Sequence, residues 1–226
     1  MGYSVTTSIT PHAAAKLLLS NEIDITYNIQ QDIVEKIFEE LLSLTIDECL
    51  SIVDSNNYGN IADIKHIPQF GKIETLIRVP QYFVDKGQSS VDYPQLGFYL
   101  KPDINASLVA NSKFGENHGK ATSLLGLTAC VNGRIIPSAL TTEFCSCDYD
   151  KQSEILLKLL FRIPIVQITL KGALHGVFDG YVPMNNLMES TRKRRSQSMR
   201  TIFKALSAYP HIELRKRLDN IIWKED

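Results

Sequence analysis

The stretch at residues 190–206, S-T-R-K-R-R-S-Q-S-M-R-T-I-F-K-A-L, combines four successive cations with a helical spacing of apolar residues. On a helix its apolar side chains fall at positions i, i+3, i+4 and i+7 and form one stripe: Met199, Ile202, Phe203 and Leu206. Ser190 or Thr191 is expected to cap the first turn. The cations at 192–195 oppose the helix macrodipole, which favours anions at this end. A nucleic-acid phosphate is the obvious anion for such a helix start, and a solvated helix end or a targeting segment are the alternatives.

Residues for catalysis are harder to find. A metal-dependent nuclease needs converging carboxylates and a lysine near the attacking water. Asp63 and Glu74 have a suitable separation, but Thr75 and Leu76 follow where the lysine would stand, and Glu213 lies in a helical pattern with an arginine two residues later. The chain also lacks the G-x-S-x-G, P-loop, G-x-G-x-x-G and H-E-x-x-H motifs. We therefore expect neither an enzymatic activity nor a cofactor in this chain.

Charge is distributed unevenly along the 226 residues. The formal net charge is only -1, which excludes a uniformly basic nucleic-acid binder. Residues 1–70 contain three Lys/Arg and ten Asp/Glu, whereas residues 185–226 contain ten Lys/Arg and five Asp/Glu. The acidic N-terminal part and the basic C-terminal part predict an uneven charge distribution, in which the basic end of the molecule would bind a polyanion.

Cysteine spacing and hydropathy indicate the compartment. The cysteines lack paired zinc spacing and are expected to be free thiols in a reducing environment: Cys49, Cys130, Cys145 and Cys147. Residues 1–10 are polar and do not form a signal peptide. The longest apolar stretch, at 155–170, is interrupted by Lys158, Arg162 and Pro164. We expect a soluble cytoplasmic protein with no membrane contact.

The first third of the chain is predicted to be helical. Thr10 and Pro11 have the residue types of a helix start, and this short helix should continue to Leu19. A longer amphipathic helix is expected to begin at Thr26 or Asn28, with an acidic face that solvent covers. A polar loop at 54–60 follows it.

Residues 73–127 predict three helices separated by turns. The expected helices are 73–83, 94–100 with Asp92 or Tyr93 leading in, and 105–127 with a possible break near Gly115. After them, Asn132-Gly133 lies between short apolar runs in 129–136, which is the strongest short-range signal for a β-hairpin. Three short helices followed by a two-stranded hairpin are the elements of a winged helix.

The rest of the chain is expected to connect and complete a second unit. Residues 148–170 predict one long helix, bent or restarted at Pro164 because proline lacks an amide hydrogen. A glycine-punctuated loop follows, and then the basic helix at 190–206. The pattern at 209–223 looks helical, which leaves open whether the second unit has a wing after the basic helix.

Two motifs resemble a known family. The run F-G-E-N-H-G-K-A-T-S-L-L-G-L at 114–127, with R-I-I-P-S-A-L-T-T-E-F at 134–144, resembles winged-helix modules of restriction enzymes. In these, a recognition helix ends in a leucine-glycine-leucine turn and an L-T-x-x-G/F wing exit follows. The stretch at 190–206 is similar to their second recognition helix, usually S-T-x-x-R-R-x-x-T-V-x-x-W, with Met199 at the valine position. The tandem arrangement is similar to the recognition half of FokI-like type IIS endonucleases, without a nuclease domain.

The resemblance implies a set of DNA contacts. On the first unit the candidates are Lys113, Asn117, His118 and Lys120, with Arg134 at the wing tip reaching the backbone or a minor groove. On the second, base readers would be Arg194, Gln197 and Arg200, and phosphate contacts would be Thr191, Arg192, Lys193, Ser198 and Lys204. His118 could instead be a loop or cap residue, and Glu116 could simply pair with Lys120 on the helix surface.

Together these features predict a mainly α fold with small β wings, in which winged helix-turn-helix units pack around a long central helix. The expected segments are an acidic helical subdomain at 1–70, a first winged-helix unit at 71–147, a connecting helix and loop at 148–183 and a basic helix-turn-helix-like unit at 184–226. The expected function is sequence-specific binding of double-stranded DNA as the specificity component of a restriction or defence system, whose nuclease another chain or domain would supply. A winged-helix scaffold for protein interaction and a stand-alone transcriptional regulator are the alternatives.

Overall fold

The computed structural model describes residues 9–21 and 29–224, which form a mainly helical protein with a small three-stranded antiparallel sheet. The α-helices in this part of the chain are α1 (Pro11–Ser20), α2 (Val34–Ser43), α3 (Ile46–Ser55), α4 (Glu74–Lys86), α5 (Tyr93–Leu100), α6 (Leu108–Leu124), α7 (Thr141–Ser146), α8 (Tyr149–Leu159), α9 (Pro164–Gly172), α10 (Glu189–Leu206) and α11 (Ile212–Asn220). The strands are β1 (Val91–Asp92), β2 (Thr128–Val131), β3 (Arg134–Pro137), β4 (Phe178–Asp179) and β5 (Ile221–Ile222).

One large hydrophobic cluster joins all four segments expected from the sequence. It extends from Ala14 on α1 to Leu214 on α11, and Leu125, Leu159 and Met199 are among its buried side chains. A second, smaller cluster lies between α4, α5 and the sheet, within residues 79–135. The basic helix and the hairpin unit therefore share a core, and that core holds them in fixed positions.

Local signals explain the N-terminal helices. Thr10 accepts a hydrogen bond from the amide of Ala13, which confirms the predicted start of α1. The next helix begins at Val34 after a 3-10 turn, later than predicted; the expected starts at Thr26 and Asn28 lie outside the described residues. The sequence reading did not separate α3, although Thr45 and Glu48 form a capping box at its start.

The three-helix prediction for 73–127 is confirmed, with one correction. Asp92 caps α5 through the amide of Gln95, and α4 ends at Gly87 in the left-handed conformation. The possible break of α6 near Gly115 is wrong, because α6 is continuous there. Its glycine allows close packing instead: a Cβ at Gly115 would lie 2.0 Å from the Tyr93 carbonyl oxygen on α5.

The predicted hairpin is present between β2 and β3. Asn132 and Gly133 have φ angles of 49° and 73°, as a two-residue turn with both central residues at positive φ requires. The sequence reading missed β1, which pairs antiparallel with β3 through Val91 and Ile135. The sheet order is therefore β1-β3-β2.

The long helix predicted at 148–170 is two helices. After α8 the chain makes a 3-10 turn at Leu160–Arg162, and α9 begins at Pro164, which confirms the restart at that proline. Residues 164–170 are all buried, so α9 forms the centre of the molecule. The short helix α7 was not predicted.

The basic helix α10 begins at Glu189, and the expected caps Ser190 and Thr191 are wrong. Met188 stands at the cap position without a side-chain hydrogen bond, and its carbonyl oxygen accepts from the amide of Thr191. Glu189 supplies an anion to the first turn and pairs with Lys193 at 2.6 Å. The stripe predicted on α10 is confirmed as buried: Met199, Ile202, Phe203 and Leu206.

The chain after α10 is helical, as predicted. It forms α11, and β5 then pairs in parallel with β4 through Ile221 and Phe178. Arg217 on α11 makes two hydrogen bonds to Asp54 at the end of α3, at 2.6 Å and 2.9 Å. Within residues 9–21 and 29–224, no helix is long and apolar enough to cross a membrane.

Candidate nucleic-acid interface

The helices α6 and α10 lie on either side of the segment 64–73, and together they line a groove. A first cavity of about 520 Å³ lies between this segment, α6 and Arg195. A second, of about 380 Å³, lies between Asn117 and His118 on α6 and Arg194 and Gln197 on α10. Both cavities share Gln69 and Asn117 in their lining, so they adjoin. We call these two cavities, together with a third cavity along α10, the groove.

The third cavity, of about 740 Å³, continues the groove along α10. It shares Gly71 and Thr201 with the second cavity and ends at Lys72, Glu74 and Lys204. The Lys and Arg residues that line the whole groove are Lys65, Lys72, Lys120, Arg194, Arg195 and Lys204. Glu74 is the one carboxylate among the residues described as lining it, so the groove is strongly positive.

On α6 the cations are held by one carboxylate. Glu116 pairs with Lys113 at 2.8 Å and with Lys120 at 2.6 Å, and these hydrogen bonds hold its pKa below the ordinary value. Lys120 lines the first cavity, whereas Lys113 lies outside the groove. The predicted surface pairing of Glu116 with Lys120 is confirmed.

The imidazole of His118 is buried against its own helix. Its Nδ1 donates to the carbonyl oxygen of Phe114 at 2.8 Å, and the two rings lie 4.1 Å apart. Burial lowers the pKa of His118, although the hydrogen bond to Phe114 partly opposes this. The imidazole is therefore neutral near pH 7. It packs against Phe114 on α6 and also lines the second cavity.

On α10 the cations are arranged differently. Arg194 and Gln197 are exposed on the wall of the second cavity. Arg195 is half-buried and donates from Nη1 to the carbonyl oxygen of Ile67. Burial lowers the pKa of Arg195, with a further contribution from Arg194, and its Nε has no hydrogen-bond partner among the described residues. The guanidinium nevertheless stays charged, because an arginine cannot lose its proton in a protein.

Ser198 has a structural contact in place of the phosphate contact expected for it. It is 1% exposed; its hydroxyl donates to the Phe70 carbonyl oxygen at 2.8 Å and accepts from the Phe70 amide at 2.9 Å. Both hydrogen-bonding positions of the hydroxyl are therefore used within the protein. Ser198 fastens the segment 64–73 to α10 and so shapes the groove.

Five further residues expected to bind DNA lie outside the groove. Arg200 lies over the ring of Trp223 at 5.2 Å and is not among the described residues that line the three cavities. Arg192 lies over Tyr181 at 5.4 Å and Lys193 pairs with Glu189, while Thr191 lies in the first turn of α10. The fifth is Arg134, beside the hairpin turn, whose Nε donates to the Ser90 hydroxyl at 3.1 Å.

The structure adds groove residues that the sequence reading did not single out. Lys65, Gln69 and Lys72 come from the segment before α4, which has no helical or strand periodicity. Arg195 belongs to the basic run, but the resemblance implied Arg194 and Gln197 as the base readers. A cation next to proline and glycine, as in P-Q-F-G-K at 68–72, was the only sequence signal for the segment.

The groove is not a metal centre: within the described part of the chain, no group of three or more His, Cys, Asp or Glu residues could hold an ion. The four cysteines are free thiols, as the spacing predicted. Comparison with protein-family models, with curated proteins and with solved structures gave no match for this chain. The geometry and the charge of the groove therefore indicate what it could bind.

Proposed function

We propose that this chain binds double-stranded DNA in a sequence-dependent manner through the groove, as the specificity component of a restriction or other defence system. One observation carries the proposal: α6 and α10 line a single groove that contains six Lys/Arg residues and one carboxylate. A groove of this charge suits a polyanion, and its amide side chains can read base edges. The choice of a restriction or defence system rests on the sequence motifs alone, and the nuclease would belong to another chain or domain.

The order of the elements supports a winged helix for residues 71–147. The chain runs α4, β1, α5, α6, β2 and β3, and the sheet order is β1-β3-β2. In this arrangement α6 is the recognition helix and the Asn132-Gly133 hairpin is the wing. Arg134 is exposed next to the hairpin turn, which suits a contact with a phosphate beside the recognition helix.

In our proposal the residues of the groove have two roles, reading base edges and holding phosphates. Arg194 and Gln197 on α10 and Asn117 on α6 face the second cavity, and in our proposal they read base edges. Lys72, Lys120 and Lys204 lie at the other cavities and would hold phosphates. Under this assignment, replacing a reader changes which sequences bind, whereas replacing a phosphate contact weakens all sequences alike.

The test is selection from a random duplex library followed by sequencing, at about 0.1 M salt, where the Debye length is about 10 Å. We expect one enriched motif. Removing a reader with Asn117→Ala should relax the preference at one position, since a bidentate base contact discriminates by about 1–3 kcal/mol. If the selected duplexes bind no more tightly than the random pool, sequence-specific recognition is refuted.

A matched pair of variants tests the groove. Lys204→Gln, at a residue assigned to phosphate, should weaken duplex binding and reduce the slope of log affinity against log salt by about 0.9, the contribution of one neutralised phosphate. Arg215→Gln makes the same charge change at an exposed position of α11, outside the groove, and should leave the slope unchanged. Equal effects of the two changes would show that binding depends on net charge and not on the groove.

The protein-interaction alternative gives a different result. Arg194→Glu reverses a charge in the groove, and a pull-down with DNA removed by nuclease reports on protein partners alone. If the wild-type chain captures an acidic protein and Arg194→Glu does not, while duplex binding is flat across sequences, the groove is a protein-docking surface.

A further inference from the structure

We propose that the first cavity binds a single nucleotide unit, with the base against its apolar wall and the phosphate on Arg195 and Lys120. Such a unit could be a free nucleotide or a nucleotide turned out of a bound duplex. The cavity belongs to the groove, so the second source rests on the proposed function, whereas the first does not.

The size and walls of the cavity suit this ligand. Its volume of about 520 Å³ lies within the range of about 300–1,000 Å³ that is usual for small-molecule sites. Ile67, Pro68 and Leu124 give it an apolar side, and Ile67 and Pro68 are buried. A planar base can pack on such a wall, as extruded bases do in pockets that receive them.

Polar groups of two kinds face the same cavity. Gln69 and Asn117 supply side-chain amides, each of which can donate and accept, as recognition of a base edge requires. Lys65, Lys120 and Arg195 supply positive charge, and no carboxylate is found among the described residues that line this cavity. Amides beside an apolar wall with cations at the rim match the base and the phosphate of one nucleotide.

Arg195 makes the charge of this site unusual. Its guanidinium is half-buried, and its partner is a carbonyl oxygen, which does not balance its charge. Its Nε lies buried, and residues 9–21 and 29–224 supply no acceptor for it. A half-buried cation without a carboxylate partner is costly, and an anion bound beside it would relieve that cost.

Lys120 lies at the rim and is ready to contact a phosphate. Glu116 holds its Nζ at 2.6 Å, yet the lysine remains half-exposed. The exposed Cys130 also lines the cavity, and its Sγ lies 3.1 Å from the Tyr93 hydroxyl. Because Cys49 is buried and the other two thiols are only partly exposed, Cys130 is a natural reporter of occupancy.

The first experiment is calorimetric titration of the full chain with each of the four deoxynucleoside 5′-monophosphates, with inorganic phosphate and with the unphosphorylated nucleosides as separate probes. We expect at least one monophosphate to bind at least about tenfold more tightly than phosphate or its own nucleoside, since one charge-assisted contact contributes about that factor. The same monophosphate should slow alkylation of Cys130 by iodoacetamide, followed by mass spectrometry. Equal binding of phosphate and monophosphate would reduce the site to a simple anion site and overturn the proposal.

Two exposed or half-exposed positions supply variants that do not endanger the fold. Lys120→Gln should weaken monophosphate binding about tenfold, and Gln69→Leu should weaken it and change which base is preferred. Lys216→Gln, exposed on α11, is the matched control and should leave binding unchanged. Unchanged binding in both cavity variants would place the ligand elsewhere and overturn the proposal.

The two sources are separated with duplexes that contain 2-aminopurine, whose fluorescence rises when it leaves the base stack. Increased fluorescence at one position on binding of the wild-type chain, lost in Gln69→Leu, indicates an extrahelical nucleotide. Monophosphate binding without any duplex binding would sustain this inference and refute the proposed function. Sequence-specific duplex binding with neither a fluorescence change nor monophosphate binding would refute this inference and support the proposed function.

Discussion

The two helices that line the groove are positioned by different contacts. Helix α6 approaches α5 so closely that a Cβ on Gly115 would lie 2.0 Å from a backbone oxygen of that helix. Helix α10 is positioned by side chains: its apolar stripe enters the main core, and Ser198 bonds to both backbone groups of Phe70. A backbone contact tolerates no added atom, whereas side-chain contacts can be removed one at a time.

Helices α6 and α10 also differ in how their positive charges are balanced. Lys113 and Lys120 on α6 share Glu116, so half of their formal charge is balanced within the helix. Arg194 on α10 has neither an ion pair nor a side-chain hydrogen bond within the described residues, and Arg195 has only a carbonyl partner. The comparison suggests that α6 contributes a fixed shape and α10 contributes most of the free positive charge.

The largest expected effect is that of Gly115→Ala. The added methyl group would meet Tyr93 O at 2.0 Å and the Gly97 amide nitrogen at 2.7 Å, both of them backbone atoms that cannot rotate away. We expect the free energy of unfolding to fall by about 3 kcal/mol, even though alanine is the better helix former. Denaturant unfolding measures the change.

Gly59→Ala is the matched control, because nothing lies within 4 Å of a Cβ at that position. It should alter stability by no more than about 0.5 kcal/mol. If the two substitutions have similar small effects, the close approach of α5 and α6 does not hold the first unit together.

Ser198→Ala tests the side-chain attachment of α10. The change leaves the amide and the carbonyl of the buried Phe70 without a partner, so we expect a loss of about 1–3 kcal/mol of stability. Ser207→Ala removes an exposed hydroxyl that bonds to the Lys204 carbonyl and should have little effect. A Ser198→Ala protein as stable as the control would mean that the segment 64–73 is held by other contacts.

The sequence was enough to predict the elements that have strong local signals. Asn132-Gly133 determined the hairpin, Pro164 determined where α9 starts, and the apolar stripe of α10 determined its buried face. The caps at Ser190 and Thr191 failed because α10 begins at Glu189, after Met188 at the cap position, so both residues lie inside the first turn. The break at Gly115 failed because a glycine in a helix can mark a close packing contact as well as an end.

The groove could be predicted only in part. Asn117, Lys120, Arg194, Gln197 and Lys204 were expected as DNA contacts from the resemblance to winged-helix modules, and they line it. Arg200 was misplaced because its direction depends on Trp223, which is distant in sequence. The segment that supplies Lys65, Gln69 and Lys72 has no periodicity, and tertiary contacts alone bring it between the two helices.

The pH dependence of stability tests the burial of His118 on α6. Burial holds the pKa of His118 below its ordinary value, so the unfolded chain binds more protons than the folded chain near that value. The free energy of unfolding should therefore rise with pH through about 6.5 and fall on acidification, by at most about 1.4 kcal/mol per pH unit for this group. His118→Gln should reduce that slope.

His66 contributes with the same sign, since burial, and then the nearby Lys65, lower its pKa. Some slope should therefore remain in His118→Gln. The exposed His175→Gln serves as the control and should keep the full wild-type slope. Urea unfolding at several pH values between 5 and 8 gives the comparison, and an identical slope in wild type and His118→Gln would show that the imidazole is not buried as described.

The smallest expected effect is that of Glu116→Gln, which bears directly on the difference in charge. Removing the carboxylate releases Lys113 and Lys120 from pairs of 2.8 Å and 2.6 Å, and it also removes a negative charge that stabilises the charged form of Arg195. In the proposed function, duplex binding at low salt should tighten several-fold, with a steeper salt dependence by about one phosphate. Glu154→Gln, exposed on α8 and outside the groove, controls for the change in net charge. Equal tightening by both variants would mean that the α6 lysines stay away from the phosphates, which would leave the binding charge to α10 and to Lys65 and Lys72 of the segment 64–73.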